Sequence, residues 1–373
     1  MIRVRIVEGR RLLDDMAGGL DELLEETRAP VTARRPWLSE WVTAFDDIRP
    51  WGVVAEDEDG LAGAALFAER RSGRLTRMVA LGHGPSDYAR MPVRSPEAAA
   101  AVAGLAAEAI RGQSGPWELR LDGLPLADPV ARGLAGVLPL AGIGRGKSSP
   151  IVRFSGGREL RPYLSANLHR KERKMENRAG RDGLDLDITV LRSAPEIGLL
   201  LPEIEGIRKR RDAAALRGSD LEDPRAALFW RGAALALAGS DALEVVTVRL
   251  GGSLAAYLMC FLDPPCYRSW DGRFDPDLAR YSPGTLGFLA AIRRALEDPR
   301  FEVFDFMRGV LEYKMEVAND AIETEYLRAW SSRSVRAALT APERARRGLV
   351  ELKRRSPALA GAWRKVKRLG RRV

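Results

Sequence analysis

The same order of predicted secondary-structure elements occurs twice along this chain of 373 residues. Alternating apolar and polar residues predict strands, and apolar residues at helical spacing predict helices. Each half begins with a strand, continues with two helices and three strands, and ends with helix, strand, helix and strand. The halves share this order without a strong residue-level repeat. The repeat is therefore one of pattern, with two halves that have the same order of elements.

The predicted boundaries place an N-terminal domain at residues 1–155, a second domain at 156–335 and a tail at 336–373. The length of the chain fits two domains of ordinary size. Its predicted strands are at 2–6, 51–55, 61–69, 75–81, 117–121 and 151–154 in the first half, and at 186–191, 243–250, 254–261, 266–270, 301–306 and 325–330 in the second.

Segment 280–314 carries the most specific pattern in the second half. Its turn at 282–284 contains Pro283, and the residue before a proline is disfavoured in a helix. A helix is predicted to follow, then the strand at 301–306. A helix that begins after a glycine-containing turn offers free backbone N–H groups to an anion such as phosphate. The same pattern also fits a helix that merely follows a tight turn.

A second glycine-rich segment, AGIGRGKS at 141–148, has the loose form of a nucleotide-binding P-loop. A P-loop requires a helix directly after its Lys-Ser pair. Here Ser149-Pro150 and a strand-like sequence follow, so we interpret this segment as a connector between strands.

The net charge of +9 is concentrated at the C-terminus, because residues 341–373 hold twelve Arg and Lys against two Glu. Such a tail favours nucleic acid or an anionic membrane surface, or is a solvated and partly disordered end. The predicted helix at 164–178 is also basic, with either a solvated or an anion-binding face. Residues 208–211 form a further basic run. The chain lacks an apolar span long enough for a membrane helix and a signal-peptide pattern, so we expect a cytoplasmic protein.

The cysteine and histidine counts argue against a metal site. Cys260 and Cys266 are the two cysteines and are expected to be free thiols, since two cysteines alone do not make a zinc site. The two histidines make a His-rich centre or a Ser/His/Asp triad improbable. We expect no metal and no permanently bound cofactor.

An ordered set of residues carries a resemblance to a known family. It runs through the loop with Asp271 and Asp275, residues 279–286, the Phe-Asp-Phe sequence at 304–306, Arg308-Gly309 and Tyr313-Lys314, with weaker matches at Trp41, Gly82, Asp87-Tyr88 and the helix at 164–178. Together with the element order, this set resembles the GNAT acyltransferase fold. Two copies in one chain resemble FemAB-type transferases and the cellulose-biosynthesis-associated acetyltransferases of the CelD/BcsL-like (BioF2-like) group. The resemblance covers about residues 1–335.

The resemblance implies an α/β (α+β) fold of two tandem GNAT-like domains, each with a mixed, mostly antiparallel sheet, plus a basic helical or disordered tail. It implies an N-acyltransferase that moves an acyl group from acyl-CoA to an amine of a small molecule or amino sugar. One departure concerns the donor, because Arg280 and Gly284 are one residue too far apart for the usual acyl-CoA motif, and Gly287 supplies the later glycine. An aminoacyl-tRNA donor is therefore an alternative. A non-catalytic scaffold associated with membrane or nucleic acid is a second one.

The resemblance also implies roles for residues of the second half. The expected donor-binding residues are Arg280, Ser282, Gly284, Thr285 and Lys314. The expected catalytic residues are Asp305 as a base, Tyr313 as an acid for the leaving group, and Arg308 as a charge that neutralises phosphate or oxyanion. Two plainer readings stay open, namely that Asp305 forms an ion pair with Arg308 and that Tyr313 caps the sheet.

The first half is expected to shape the acceptor cleft, because its matching helix starts Arg94-Ser95-Pro96-Glu97, with no glycine and with an acid where phosphate would sit. The candidate acceptor or cleft residues are Trp37, Trp41, Asp87, Tyr88, Trp270 and Asp271, although the aromatic stripe through Trp37 and Trp41 also fits a core position. With a tRNA donor, the candidate contacts are Arg170, Lys171, Lys174, Arg208, Arg211, Lys353 and Arg354.

Overall fold

The computed structural model describes residues 1–155, 157–216, 218–309 and 312–341. The predicted tail beyond residue 341, including Lys353 and Arg354, lies outside these ranges. The strands are β1 Arg3–Glu8, β2 Arg49–Asp57, β3 Gly60–Ser72, β4 Leu75–Ala80, β5 Trp117–Leu124, β6 Gly142–Arg145, β7 Ser149–Arg153, β8 Leu186–Leu191, β9 Leu243–Leu250, β10 Ser253–Asp263, β11 Cys266–Phe274, β12 Val303–Asp305, β13 Asp320–Ile322 and β14 Glu325–Trp330.

The helices lie between these strands in the expected places. They are α1 Leu12–Asp15, α2 Ala17–Glu26, α3 Arg35–Ala44, α4 Pro96–Arg111, α5 Pro129–Val137, α6 Ala166–Arg181, α7 Ala194–Ala214, α8 Pro224–Gly239, α9 Pro283–Glu297 and α10 Glu312–Met315. Several begin as their sequences predict: the side chains of Ser95 and Ser165 cap α4 and α6, and Pro96 occupies the first position of α4. No helix within the described ranges has the length and apolar character needed to cross a membrane.

The strands form two mixed sheets of seven strands each. The first has the order β1-β2-β3-β4-β5-β14-β6, and the second has the order β13-β7-β12-β11-β10-β9-β8. Neighbouring strands are antiparallel except at one place in each sheet, where β4 pairs with β5 and β11 pairs with β12 in parallel. Two helix-flanked mixed sheets confirm the predicted fold class. The glycine-rich segment at 141–148 contains β6 and precedes β7, as expected for a connector.

The two sheets exchange strands. β14, at the end of the described chain, lies between β5 and β6 of the first sheet. β7, from the middle of the chain, lies between β12 and β13 of the second sheet. The strand predicted at 151–154 therefore belongs to the second sheet, and the strand predicted at 325–330 belongs to the first. The predicted assignment of these two strands was wrong. Alternation identifies a strand but does not identify its partner. The division into domains at residue 155 stays a prediction.

A core of aromatic side chains lies between the halves, where α3 of the first half packs against α8 of the second. Trp37 is fully buried, and its ring makes edge contacts with Phe229, Phe261 and Trp270 at centroid distances of 4.9, 5.5 and 5.3 Å. Trp41 is buried beside it. The expectation that Trp37 and Trp41 line a substrate cleft is corrected, because both are core residues between the halves.

Because this core and the strand exchange join the halves, we predict that they unfold together. Trp37→Ala should lower the free energy of unfolding by about 3–5 kcal/mol, as for other large-to-small changes in a core. Urea unfolding followed by circular dichroism should keep a single transition at a lower midpoint. Leu199→Ala, at a side chain that is 83% exposed, is the control and should change little. Two separate transitions, with only one of them shifted, would contradict this prediction.

Candidate active site

The candidate site is built around the first turn of α9. β11 ends at Phe274, a short 3₁₀ turn covers Pro276–Tyr281, and α9 begins at Pro283. Ser282 joins the turn to the helix in a left-handed conformation, with φ of 50°. Proline at the first helical position suits this start, since its missing N–H is not needed there. The positive end of the α9 dipole therefore faces the segment that follows β11.

Two adjoining cavities lie at this helix end, and we call them together the α9 pocket. The larger has a volume of about 490 Å³ and is lined by Arg211, Tyr257, Leu258, Gly272, Arg273, Phe274, Ala279, Ser282, Gly284, Thr285 and Phe288. The smaller has a volume of about 250 Å³ and is lined by Leu168, Lys171, Met175, Ser282, Thr285, Phe288, Leu289, Ile292, Phe306, Glu316 and Val317. Ser282, Thr285 and Phe288 belong to both.

The divergence of two parallel strands makes room for the α9 pocket. β11 and β12 pair over only three residues each, from Cys266 with Val303 to Arg268 with Asp305. β11 then continues to Phe274, whereas β12 stops. A bulge lies just beyond the paired segment, because Met259 pairs with Asp271 and Cys260 with Ser269, which leaves Trp270 as the extra residue. Such a bulge interrupts strand pairing and bends the strand locally.

Cationic and phenolic groups line the larger cavity. The Arg211 guanidinium lies 4.7 Å from the centre of the Phe274 ring. Arg273 forms an ion pair with Asp271 at 3.1 Å. Tyr257 is buried, and its hydroxyl donates a hydrogen bond to Asp271 at 2.9 Å. Burial raises the pKa of Tyr257 well above its usual value, so the phenol keeps its proton at neutral pH.

Three of the predicted donor-binding residues, Ser282, Gly284 and Thr285, line the α9 pocket. The other two are placed elsewhere. The side chain of Arg280 is 65% exposed and forms an ion pair with Asp182 at 3.1 Å. Lys314 is buried, and its Nζ donates to the backbone carbonyls of residues 306–308 at 2.8 to 3.3 Å. Burial also lowers the pKa of Lys314. The expectation for Arg280 and Lys314 is therefore corrected.

Asp305 is fully buried and has three hydrogen-bond donors around its carboxylate. It accepts from the Tyr88 hydroxyl at 2.7 Å and from the Met307 N–H at 2.7 Å, and it forms an ion pair with Arg268. A carboxylate enclosed in this way has no open face toward an acceptor amine. The predicted role of Asp305 as a base is corrected to a structural one. The plainer reading was wrong about the partner, which is Arg268 and not Arg308.

Arg308 instead contacts the first half of the chain. Its Nε lies 2.7 Å from Asp87 Oδ1, and its backbone N–H donates to Asp87 Oδ2 at 2.9 Å. Asp87 and Tyr88 therefore bind residues 305–308 across the boundary between the halves. This placement corrects two expectations: Arg308 is paired rather than free for a phosphate or oxyanion, and Asp87 and Tyr88 hold the halves together rather than an acceptor.

Asp271 and Arg208 form a further buried pair beneath the larger cavity. Burial alone would raise the pKa of Asp271, but Arg208 and Arg273 hold it below its usual value. Arg208 also lies 5.3 Å from the centre of the Trp230 ring. The expectation that Arg208 contacts nucleic acid is corrected, because its side chain is enclosed. Asp271 is an ion-paired wall residue, and Trp270 packs against Phe261 in the core between the halves.

The remaining predicted cations lie on the surface near the α9 pocket. Lys171 and Arg211 line the pocket, and Lys171 pairs with Glu316 at 2.9 Å. Arg170 and Lys174 are exposed on α6. Tyr313 lies in α10, but its side chain is outside the described part of the structure. No group of His, Cys, Asp and Glu suited to a metal ion occurs within the described ranges.

Sequence reasoning missed Tyr257, Arg273 and Phe288 as pocket residues. The register of β10 with β11 sets Tyr257 opposite Arg273, and Phe288 lies on the first turns of α9. Strand alternation in β10 was the available signal for Tyr257. That signal predicts which residues share a face, but it does not show which face meets a cavity.

Comparison with known proteins agrees with this geometry. Residues 165–315 match the family model described as an acetyltransferase (GNAT) domain. This part of the chain is therefore a GNAT-type domain. The match includes α6, β12 and all of the α9 pocket except Glu316 and Val317, and it confirms the predicted enzyme class. The CelD/BcsL-like subgroup stays a prediction.

Solved structures extend the similarity over both halves. FemX superposes with a TM-score of 0.60 at 9% identity, over 82% of this chain and 95% of that one. The C-terminal domain of a putative lysylphosphatidylglycerol synthetase from Agrobacterium fabrum superposes at 0.53 with 13% identity, over 88% and 95%. L-PGS from Bacillus licheniformis gives 0.53 and 13%, over 87% and 95%. At these low identities, the superpositions show a common fold and nothing more. No curated protein matches the sequence.

We predict that Gly284→Asp abolishes donor binding to the α9 pocket while the fold survives. A carboxylate at the start of α9 would repel an anionic donor and block the approach of its phosphate to the backbone. Gly284→Ala is the matched control, because the atoms nearest to its Cβ belong to the Phe274 side chain, the closest at 3.1 Å. Calorimetric titration with acetyl-CoA should show clearly weaker binding for the aspartate variant than for the alanine variant. Equal affinity in both folded variants would contradict the assignment.

We also predict that Asp305→Asn acts mainly on stability. Removing one charge of a buried ion pair leaves Arg268 with one carboxylate partner fewer, at a cost of roughly 3 kcal/mol. Asp320→Asn, at the exposed pair with Arg153, is the control and should cost little. The comparison requires the melting temperature of each variant together with its turnover at a temperature where it is folded. A large loss of turnover with an unchanged melting temperature would restore Asp305 as a base.

Proposed function

We propose that this protein is an N-acyltransferase that moves an acyl group from acyl-CoA to an amine of a small molecule or amino sugar. One observation carries the proposal: the first turn of α9, with Gly284 and Thr285, lines a pocket beside the gap between the parallel strands β11 and β12. Such a helix end attracts the phosphates of a donor, and the gap gives an extended donor arm a path along β11.

The residues of the α9 pocket divide the chemical tasks. Gly284 and Thr285 hold donor phosphate at the helix end, and the Arg211 side chain supplies positive charge nearby. Phe274 and Phe288 provide apolar walls for the donor arm. Tyr257 keeps its proton at neutral pH and, with its hydroxyl bonded to Asp271, fixes that wall of the pocket. Acyl transfer within such a site gains from holding the reacting groups at a fixed position.

An aminoacyl-tRNA is the second candidate donor, and a specific observation favours it. The basic helix α6 forms one wall of the α9 pocket through Lys171, while Arg170, Arg173 and Lys174 are exposed on the same helix. An RNA chain leaving the pocket over α6 would meet these charges. The likeness to FemX and to lysylphosphatidylglycerol synthetases supports the same candidate. The GNAT match favours either enzyme over a non-catalytic scaffold. Both donors place the reaction in the cytoplasm.

Charge reversal on α6 separates the two donors. If tRNA binds there, the double variant Arg170→Glu/Lys174→Glu should weaken binding of charged tRNA and flatten its salt dependence by about 0.7–0.9 in log–log slope per lost phosphate contact. Binding of acetyl-CoA should hardly change, because CoA carries few charges and sits in the pocket. The measurement is titration of each donor at several salt concentrations.

The control reverses the charge of two exposed arginines in the first half, in the double variant Arg3→Glu/Arg74→Glu. Its net charge changes by the same amount as in the α6 variant. Equal loss of tRNA affinity in both double variants would show a general charge effect and remove α6 as the tRNA surface. Binding of neither donor by the wild-type protein would contradict the proposed function itself.

A further inference from the structure

A second cavity, of about 350 Å³, lies between the two halves and away from the α9 pocket. It is lined by Thr27, Arg28, Pro30, Tyr88, Ala89, Arg90, Gly123, Pro125, Leu126, Arg268, Ile322, Glu323 and Thr324. Arg268 in this cavity and Gly272 in the α9 pocket are four positions apart on β11, about 13 Å along a strand. We call it the seam cavity.

The seam cavity carries an excess of positive charge. Arg268 is neutralised by its ion pairs with Asp263 and Asp305. Arg28 and Arg90 have no ion pair within the described part of the chain, and the buried Nε of Arg90 has no hydrogen-bond partner there. Arg90 makes one long hydrogen bond, from Nη2 to the Thr27 carbonyl at 3.4 Å.

Two carboxylates near the seam cavity are candidates to neutralise its arginines. Glu323 is in the lining but is exposed at the rim. Asp128 is buried behind the cavity, where burial raises its pKa and nearby Arg90 partly offsets the increase. Its Oδ1 caps α5 by accepting from the Ala131 N–H at 2.9 Å, and it forms no ion pair with Arg90. The buried Nε of Arg90 lacks an acceptor, which is costly, and an anionic ligand would supply one.

The backbone of Arg28 gives a second, independent observation. α2 ends at Glu26, and Arg28 follows in the left-handed conformation with φ of 48°, its N–H bonded to the Glu25 carbonyl at 3.0 Å. Glycine is the residue that suits this position after a helix, because a Cβ is strained there. An arginine at this strained position places a long cationic side chain at the mouth of the seam cavity.

The other lining residues restrict the ligand further. Pro30, Leu126 and Ile322 supply apolar surface next to the arginines. The backbone around Tyr88 is tightly packed, since a Cβ on Gly123 would lie 2.3 Å from the Asp87 carbonyl oxygen. We propose that the seam cavity binds the carboxylate or phosphate of a small organic anion, with Arg28 and Arg90 as its ligands. This site is distinct from the α9 pocket and does not depend on which acyl donor is used.

Titration of phenyl phosphate against the full chain tests the proposal, with phenol as the uncharged probe. Phenyl phosphate should bind and phenol should not. Arg90→Gln should weaken binding roughly tenfold or more, the usual effect of losing a charge-assisted hydrogen bond. Arg74→Gln, at an exposed arginine remote from the cavity lining, is the matched control and should bind as the wild-type protein does.

Arg28→Gly makes the test independent of folding defects. Glycine relieves the strained backbone, so the melting temperature should stay the same or rise while affinity for phenyl phosphate falls. The Gly284→Asp variant should bind phenyl phosphate as the wild-type protein does. A failed proposal for the α9 pocket is thereby distinguished from a failed proposal for the seam cavity. Competition between phenyl phosphate and an amine acceptor would assign the anion to the acceptor, and non-competitive effects would assign it to an effector. Equal affinity in wild type, Arg28→Gly and Arg90→Gln, or no binding at all, would overturn the proposal.

Discussion

The buried carboxylate of Asp305 holds together groups from both halves of the chain. Tyr88 reaches it from the first half, and Arg268 reaches it from β11. This cluster lies at the last residue pair at which β11 and β12 still run side by side. The strands separate directly beyond it, and the α9 pocket lies in the space that this separation opens. The carboxylate therefore lies where the two strands part, and it takes no part in the proposed chemistry.

The exchange of β7 and β14 also joins the two halves, through whole strands rather than single side chains. Each sheet is completed by a strand from the other half, and the Trp37 core fills the space between α3 and α8. The first half thus serves as a rigid support for the second, which carries the GNAT match and the α9 pocket. A support of this kind keeps the first turn of α9 and the wall of β11 at a fixed separation, which benefits a reaction that depends on positioning.

Much of the fold could be predicted from the sequence because each strand and helix has its own local signal. The turn at 282–284 and the helix after it appear where the proline and glycine indicate. Ser282, Gly284 and Thr285 line the α9 pocket, and their role in donor binding stays a prediction. Which strands pair with each other, and which charged side chains form ion pairs, could not be predicted from local signals. Asp305 was predicted to be a base, with an ion pair to Arg308 as the alternative. It pairs instead with Arg268, because the parallel pairing of β11 and β12 brings distant residues together. The stripe through Trp37 and Trp41 fits a core position as well as a cleft, and the packing of α3 against α8 decides between the two. Arg208 is buried by its pairing with the distant Asp271, which no local pattern shows.

Hydrogen–deuterium exchange in the presence of donor tests the assignment of the α9 pocket most directly. The backbone N–H groups at the start of α9 should exchange more slowly when acetyl-CoA or charged tRNA is bound, since the ligand would cover them. Slower exchange in the peptide that spans 282–288, with no change in the first-half peptide that spans 95–101, is the result we predict. Protection confined to the first half, or saturating donor without any protection at 282–288, would contradict the placement of the donor at α9.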